Sequence, residues 1–417
     1  MQPVGLYAWG GPGTIRLLRV KYHAPRINEA SFMALYDDAA LAEAKDKLGV
    51  TDMWVTFSWG FSNATEQPDR RFIVERLPNF AQYDIAPHAY VQGLNLVTDE
   101  FADQDVFCRD PHGRLLPYSK GRSFTCPNKP AARAVIRQRV EAACVHPFAG
   151  VFIDNLMFGL PPFLVRQDYT SFFGCECEHC RAAFRQQYGY ALPTGPRRSP
   201  QQIADTLDFR ARTLTDLCAE MAGITRSAGK VFGVNLYDPY WHTPEFHFGY
   251  SLSGLAPHLD YYLIENHALA ASNRHLLPLI EADDKPVFVV SYRDGISHDP
   301  AYTQADLDAI WSEAAALGYY PALKATEYVT DGVWHALDMS NIHAPRRDAC
   351  PPRADLPVPS PVPPSGWMDR RTAELGSALY APALRTALEN PLLARAVSRL
   401  KLDTRVMRTG RRYGPTP

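Results

Sequence analysis

Three acidic residues stand where an apolar run stops, and that position suits a carboxylate to nucleophilic or acid–base work. Asp154 directly follows Val151-Phe152-Ile153, and Glu265 directly follows Tyr261-Tyr262-Leu263-Ile264. Glu327 comes after Ala322, Leu323 and Ala325, with Lys324 and Thr326 interspersed. If such runs are strands of a closed barrel, each carboxylate has desolvating neighbours behind it and a pocket in front. Two carboxyl groups flanking a glycosidic bond cleave it, one ionised and one protonated. They stand roughly 5–5.5 Å apart in retaining enzymes and roughly 6.5–9.5 Å apart in inverting ones. The expected pair is Asp154 as nucleophile and Glu265 as acid/base, of retaining type, with Glu327 in reserve for either role. A plainer role stands beside each: Asp154 capping the next segment, Glu265 paired with an arginine.

Other polar and aromatic groups close to strand ends would bind hydroxyls or orient the carboxylates. They are Trp9, Trp59, His88, Tyr90, Asn155, Asn235, Tyr237, Asn266, His267, Tyr292 and Arg293. The run Asn235-Leu-Tyr-Asp-Pro-Tyr-Trp241-His242 gathers two Tyr, a Trp, an Asp and a His, a density that suits a platform on which a sugar ring stacks. Other chemistries are poorly signalled. There is no Gly-x-Ser-x-Gly turn, and Cys144 and Cys218 fall in helical patterns. His242, His247 and His267 lack the spacing of a catalytic metal site. Gly10-Gly11-Pro12-Gly13 contains a proline and is expected to lack a following helix, which argues against a dinucleotide turn.

Cys175-Glu-Cys-Glu-His-Cys180 places three thiols within six residues. Such a hook brings three sulfurs around one point, and a fourth ligand would complete a tetrahedral zinc site. Cys126, Cys108 and His179 are the candidates for that ligand. The plainer reading is three reduced thiols at a helix start.

Phe124-Thr-Cys126-Pro-Asn-Lys-Pro130 followed by Cys175-Glu-Cys-Glu-His-Cys-Arg-Ala-Ala-Phe-Arg-Gln-Gln-Tyr-Gly189 resembles the glycoside hydrolase family 42 β-galactosidases and related barrel glycosidases. The resemblance covers about a sixth of the chain. It implies a structural zinc held by Cys126, Cys175, Cys177 and Cys180, with Cys108 outside the set and no organic cofactor. Enzymes of that family are often trimers, which is no evidence for this chain, and a homo-oligomer is left as an open outcome. The chain departs from the family at the fourth strand, which there ends in Asn-Glu with the Glu as acid/base. Here it reads Gly150-Val-Phe-Ile-Asp154-Asn155. The family's catalytic pair and its β-galactosidase activity are therefore not carried over. The chain looks instead like barrel glycosidases with a strand-end Asp-Asn before a cysteine hook. The use of carboxylates on strands four and six is similar, by position, to the α-galactosidase-like clan.

The elements that must position these residues read as an α/β chain, a (β/α)8 TIM barrel with an inserted cysteine-rich loop and a C-terminal helical tail. Strands are expected at 4–9, 52–59, 85–91, 150–155, 231–237, 260–265, 286–292 and 320–327, which makes eight. Helices are expected at 28–48, at 201–227 and at 304–317, the last capped by Thr303 and ended by Gly318. The barrel spans 1–340. A proline-rich linker follows at 341–366, with eight prolines between Pro345 and Pro364. A basic helical tail at 367–417 carries ten Arg or Lys against four Asp or Glu and is expected to dock on the barrel.

A formal net charge of −2 gives no pull toward nucleic acid or an anionic membrane. No run of about 18 apolar residues and no secretory leader is evident, so a cytoplasmic location is expected. The partner is an oligosaccharide or a glycosylated small molecule. A non-catalytic carbohydrate-binding barrel is the main alternative, and a metal-dependent lyase or hydrolase the third reading.

Overall fold

The computed structural model describes residues 3–22, 25–158, 174–194, 199–237, 248–266, 285–291, 302–326 and 328–345. Eight parallel strands close into a barrel: β1 (Gly5–Ala8), β3 (Asp52–Ser58), β4 (Ala86–Gln92), β8 (Gly150–Asp154), β9 (Val231–Tyr237), β10 (Tyr262–Asn266), β11 (Val287–Ser291) and β12 (Tyr320–Lys324). Each lies beside its predecessor in the chain and β12 returns to β1, so the architecture is the expected (β/α)8 barrel.

The strands carry apolar residues on both faces. Period-two alternation sorts them into two layers. Leu6, Val55, Ala89, Val151, Val234, Ile264 and Leu323 face the surrounding helices. Tyr7, Trp54, Tyr90, Phe152, Tyr261, Leu263, Phe288 and Val290 fill the barrel. Aromatic rings dominate this interior, and glycines on neighbouring strands make room for them. A Cβ on Gly5 would lie 2.7 Å from the Trp54 ring, one on Gly150 2.6 Å from His88, and one on Gly233 2.3 Å from the Tyr261 ring. Gly233→Ala is therefore expected to cost about 1–3 kcal/mol through overpacking. A fall in the thermal midpoint checks it; an unchanged midpoint would show that Tyr261 yields easily.

Helices surround the barrel where the periodicity places them. The longest, Pro200–Ser227, opens with a capping box in which Ser199 and Gln202 exchange hydrogen bonds. Helix Gln304–Leu317 opens with the same device between Thr303 and Asp306 and ends at Gly318 with φ 69°.

Other expectations need correction. The single helix expected over 28–48 is broken into α2 (Glu29–Ala34), α3 (Asp38–Glu43) and a wide turn at Ala44–Leu48, because Asp37 between the first two is extended. A helix does follow the Gly10–Gly13 run: α1 (Pro12–Lys21) has Pro12 in its first turn, where the missing N–H costs no hydrogen bond. Two small sheets had no strand signal, since none of their members exceeds three residues. One joins β2 (Arg26–Ile27) to the hairpin β13–β14 (Tyr328–Thr330, Val333–His335). The other is inserted after β4 and consists of β5 (Asn95–Val97), β6 (Pro117–Ser119) and β7 (Arg122–Phe124). Helix α6 (Pro130–Cys144) then leads to β8, and α7 (Glu178–Tyr188) follows it. Most of the linker and all of the tail expected beyond 340 lie outside the described residues. No helix among the described residues is long and apolar enough to cross a membrane.

Candidate active site

Asp154 ends β8 two residues after the inward-facing Phe152, so alternation turns its side chain into the barrel. Glu265 stands two residues after Leu263 on β10, with the same inward phase. Ile153 is in register with Val234, and Asn235 with Leu263. In a barrel that shears by about eight residues over eight strands, equal height advances about one residue per strand relative to register. Glu265 thus shares the layer of Asp154. Both are buried, at 7% and 5% relative exposure.

Among the described residues, four donors converge on the Asp154 carboxylate. The Tyr90 hydroxyl donates to Oδ2. The Asn155 side-chain amide donates to the same oxygen at 2.8 Å, its backbone N–H to Oδ1 at 2.6 Å, and the Asn235 amide to Oδ1 at 2.7 Å. The Tyr90 phenol is pushed well above its ordinary range, first by burial and then by the Asp154 charge beside it. It therefore stays a donor.

Around this carboxylate, several buried polar atoms have no hydrogen-bond partner among the described residues: Trp9 Nε1, Gln92 Nε2 and Asn235 Oδ1. Gln92 is in register with Asp154 and offers its Oε1 to Tyr90 at 3.4 Å. Trp9 packs on Trp59 with ring centroids 5.0 Å apart, and Trp59 on Tyr90 at 4.6 Å. Trp59 Nε1 is occupied by Thr56 Oγ1 at 2.9 Å. A buried polar group left unmade costs about 1–3 kcal/mol. Two donors and an acceptor thus stay unmatched on residues packed around Tyr90 and Asp154.

The structure thus brings together Asp154, Tyr90, Asn155 and Asn235, with Trp9 and Trp59 packed on Tyr90. Tyr237 and Asn266 close β9 and β10. His88 belongs elsewhere. It pairs in register with Gly150 at the N-terminal end of β8, stacks on Trp54, and its Nε2 lies 2.9 Å from Asp52 Oδ1. It is part of the barrel floor. Trp241, His267, Tyr292, Arg293 and Glu327 lie outside the described residues.

Sequence reasoning missed Gln92 and a buried ionic cluster under the loop after β3. Glu66, on α4 (Asn63–Val74), is 1% exposed. It accepts from the backbone N–H groups of Trp59, Gly60 and Phe61 at 2.6, 2.8 and 3.0 Å, from Ser58 at 2.7 Å and from Arg70 at 2.7 Å. Arg139 Nε lies 4.0 Å away, and burial pulls that guanidinium down to about 10. Glu66 thereby fixes the turn that carries Trp59. Glu66→Gln would leave buried cations undercompensated, and a loss of about 3–5 kcal/mol in denaturant unfolding is expected. An unchanged midpoint would show that the cluster carries no net stabilisation.

Cys126, Cys175, Cys177 and Cys180 form a group whose sulfurs all lie within 4.8 Å of one another. Cys126 Sγ is 3.8 Å from Cys177 Sγ and 3.3 Å from Cys180 Sγ. A tetrahedral site with Zn–S bonds of about 2.3 Å spaces its sulfurs about 3.8 Å apart, so the donor set fits a thiolate-bound metal. The Cys175 thiol is held well below the ordinary range by hydrogen bonds from Cys108, Cys126, Cys177 and Cys180. Asn128 and the Arg109 backbone N–H donate to Cys180 and Cys175 at 3.4 and 3.3 Å, the outer contacts that thiolate ligands attract. Of the alternative fourth ligands, Cys108 is buried beside the group but outside it, and His179 is exposed.

No protein-family model matches the sequence, and no curated protein matches it. Solved structures do match. A β-galactosidase from the psychrophilic Marinomonas ef1 has a TM-score of 0.52 at 12% identity, over 77% of this chain and 53% of that one. A polyextremophilic β-galactosidase from the Antarctic haloarchaeon Halorubrum lacusprofundi gives 0.54 at 15% identity, over 77% and 54%. The α-L-fucosidase isoenzyme 2 from Paenibacillus thiaminolyticus gives 0.51 at 13% identity, over 81% and 47%. At these identities the likeness is one of fold, a (β/α)8 barrel. The chain spans about half the length of each.

Proposed function

We propose that this chain is a glycosidase of the retaining type, with Asp154 as nucleophile and Glu265 as acid/base. The observation that carries the proposal is the shared inward layer of the two carboxylates, with unmet donors and an acceptor beside Asp154. An Asp154 oxygen bonds to the anomeric carbon as the glycosidic bond breaks, and Glu265 gives its proton to the departing oxygen. Water then attacks the same carbon, Glu265 takes its proton, and the ester to Asp154 is released. Gln92, Trp9 and Asn235 bind the hydroxyls of the glycone, and Trp59 backs the Tyr90 ring. Glu327 is the reserve for either carboxylate role. The solved glycosidases similar in fold support the substrate class, an oligosaccharide or glycosylated small molecule. The four cysteines hold a structural zinc that ties the inserted sheet to α7 and stands outside the reaction.

One observation favours a second reading, a carbohydrate-binding barrel without turnover: donors already occupy both oxygens of Asp154. A panel of aryl glycosides separates the two. Turnover by the wild-type chain, falling at least about a hundredfold in Glu265→Gln, supports catalysis. Saccharide binding without turnover of any glycoside would select the binding reading.

A further inference from the structure

Asn155 is one of three described non-glycine residues with positive φ, at 56°. Asparagine tolerates that region better than most side chains. The twist lets its backbone N–H and its side-chain amide both turn back onto Asp154. An amide can present either its oxygen or its nitrogen, and only the nitrogen serves a carboxylate. The carboxylate sets that choice, and Tyr118 braces it: its hydroxyl donates to Asn155 Oδ1 at 2.6 Å. With that oxygen engaged, Nδ2 is left facing Asp154.

Tyr118 comes from β6 of the inserted sheet, outside the barrel strands. Its ring stands edge-on to Phe124 at 5.2 Å, and the Arg122 guanidinium lies 5.5 Å from its centroid. Arg122 is buried and donates to the Trp59 carbonyl at 3.1 Å. Both neighbours belong to β7, and two residues after β7 stands Cys126 of the four-cysteine group. The backbone continues the lock: Leu94 N–H donates to the Asn155 carbonyl and Thr125 N–H to the Leu94 carbonyl, both at 3.1 Å.

We propose that Tyr118 is a positioning residue for the Asp154 carboxylate, acting through Asn155. The inference rests on the glycosidase reading only for its kinetic consequence; the mechanical part stands apart from it. Tyr118→Phe removes one hydroxyl and keeps the ring. In a chain that turns over an aryl glycoside, kcat is expected to fall about tenfold with KM unchanged, the scale of one hydrogen bond lost from the reacting group's surroundings. Asn155→Gly removes the side chain at a backbone angle glycine accepts. If Tyr118 works through Asn155, the double variant loses no more than Asn155→Gly alone.

Hydrogen exchange needs no activity. Amides in the peptide covering 150–158 are expected to exchange about fivefold faster or more in Tyr118→Phe, the scale of roughly one lost hydrogen bond, with metal content unchanged. Additive kinetic losses, or equal exchange in wild type and Tyr118→Phe, would overturn the proposal. A chain that cleaves no glycoside yet shows the faster exchange would end the glycosidase reading and leave the positioning intact.

Discussion

Replacing Asp154 by Asn or Ala is expected to lower turnover at least about a hundredfold, the smaller end of what a reacting carboxylate contributes. The two replacements differ in their side effects. Alanine leaves Tyr90, Asn155 and Asn235 aimed at empty space, and each stranded buried donor costs about 1–3 kcal/mol. Asparagine keeps the volume and one acceptor oxygen, so it separates loss of chemistry from loss of order. If both variants bind saccharide with wild-type affinity and only turnover falls, the carboxylate acts in the transition state. Wild-type turnover in Asp154→Asn would remove the residue from the mechanism.

The second large effect concerns the cysteines. The chain is expected to carry about one zinc, and Cys175→Ser with Cys177→Ser is expected to lose it. Structural zinc sites contribute apparent free energies of about 10–16 kcal/mol in small peptides, comparable with the whole stability of a domain, about 5–15 kcal/mol. Removal of the metal, by substitution or by a strong chelator, should therefore unfold at least the segment linking β7 to α7. Elemental analysis and thermal unfolding check this together. Metal-free protein with an unchanged thermal midpoint would refute the structural role.

The barrel was legible because its strands differ sharply from their surroundings. Val151-Phe152-Ile153 and Tyr262-Leu263-Ile264 are buried on both faces, and such runs announce themselves without alternation. The buried, inward positions of Asp154 and Glu265 were legible for the same reason, as the first charges after those runs. His88 was misread because composition shows that a polar residue lies in a strand but not at which end. Only the register with Gly150 puts it on the floor. Gln92 gave no signal, since a neutral amide before Gly93 looks like any loop residue. Glu66 looks like an ordinary surface glutamate in Ala64-Thr65-Glu66-Gln67, and its burial follows from the fold of the turn above it. The inserted sheet escaped notice because strands of three residues are too short for a period to appear, and with it went Tyr118 and Arg122.

The bond to the sugar is expected to form at Asp154. Incubation with activated 2-deoxy-2-fluoro glycosides, followed by digestion and mass spectrometry, tests it directly, because such reagents stall a retaining enzyme after that bond has formed. One equivalent of label is expected on the peptide containing Asp154, and none in Asp154→Asn. Label on another carboxylate, or continuous turnover of glycosides with none on Asp154, would contradict it.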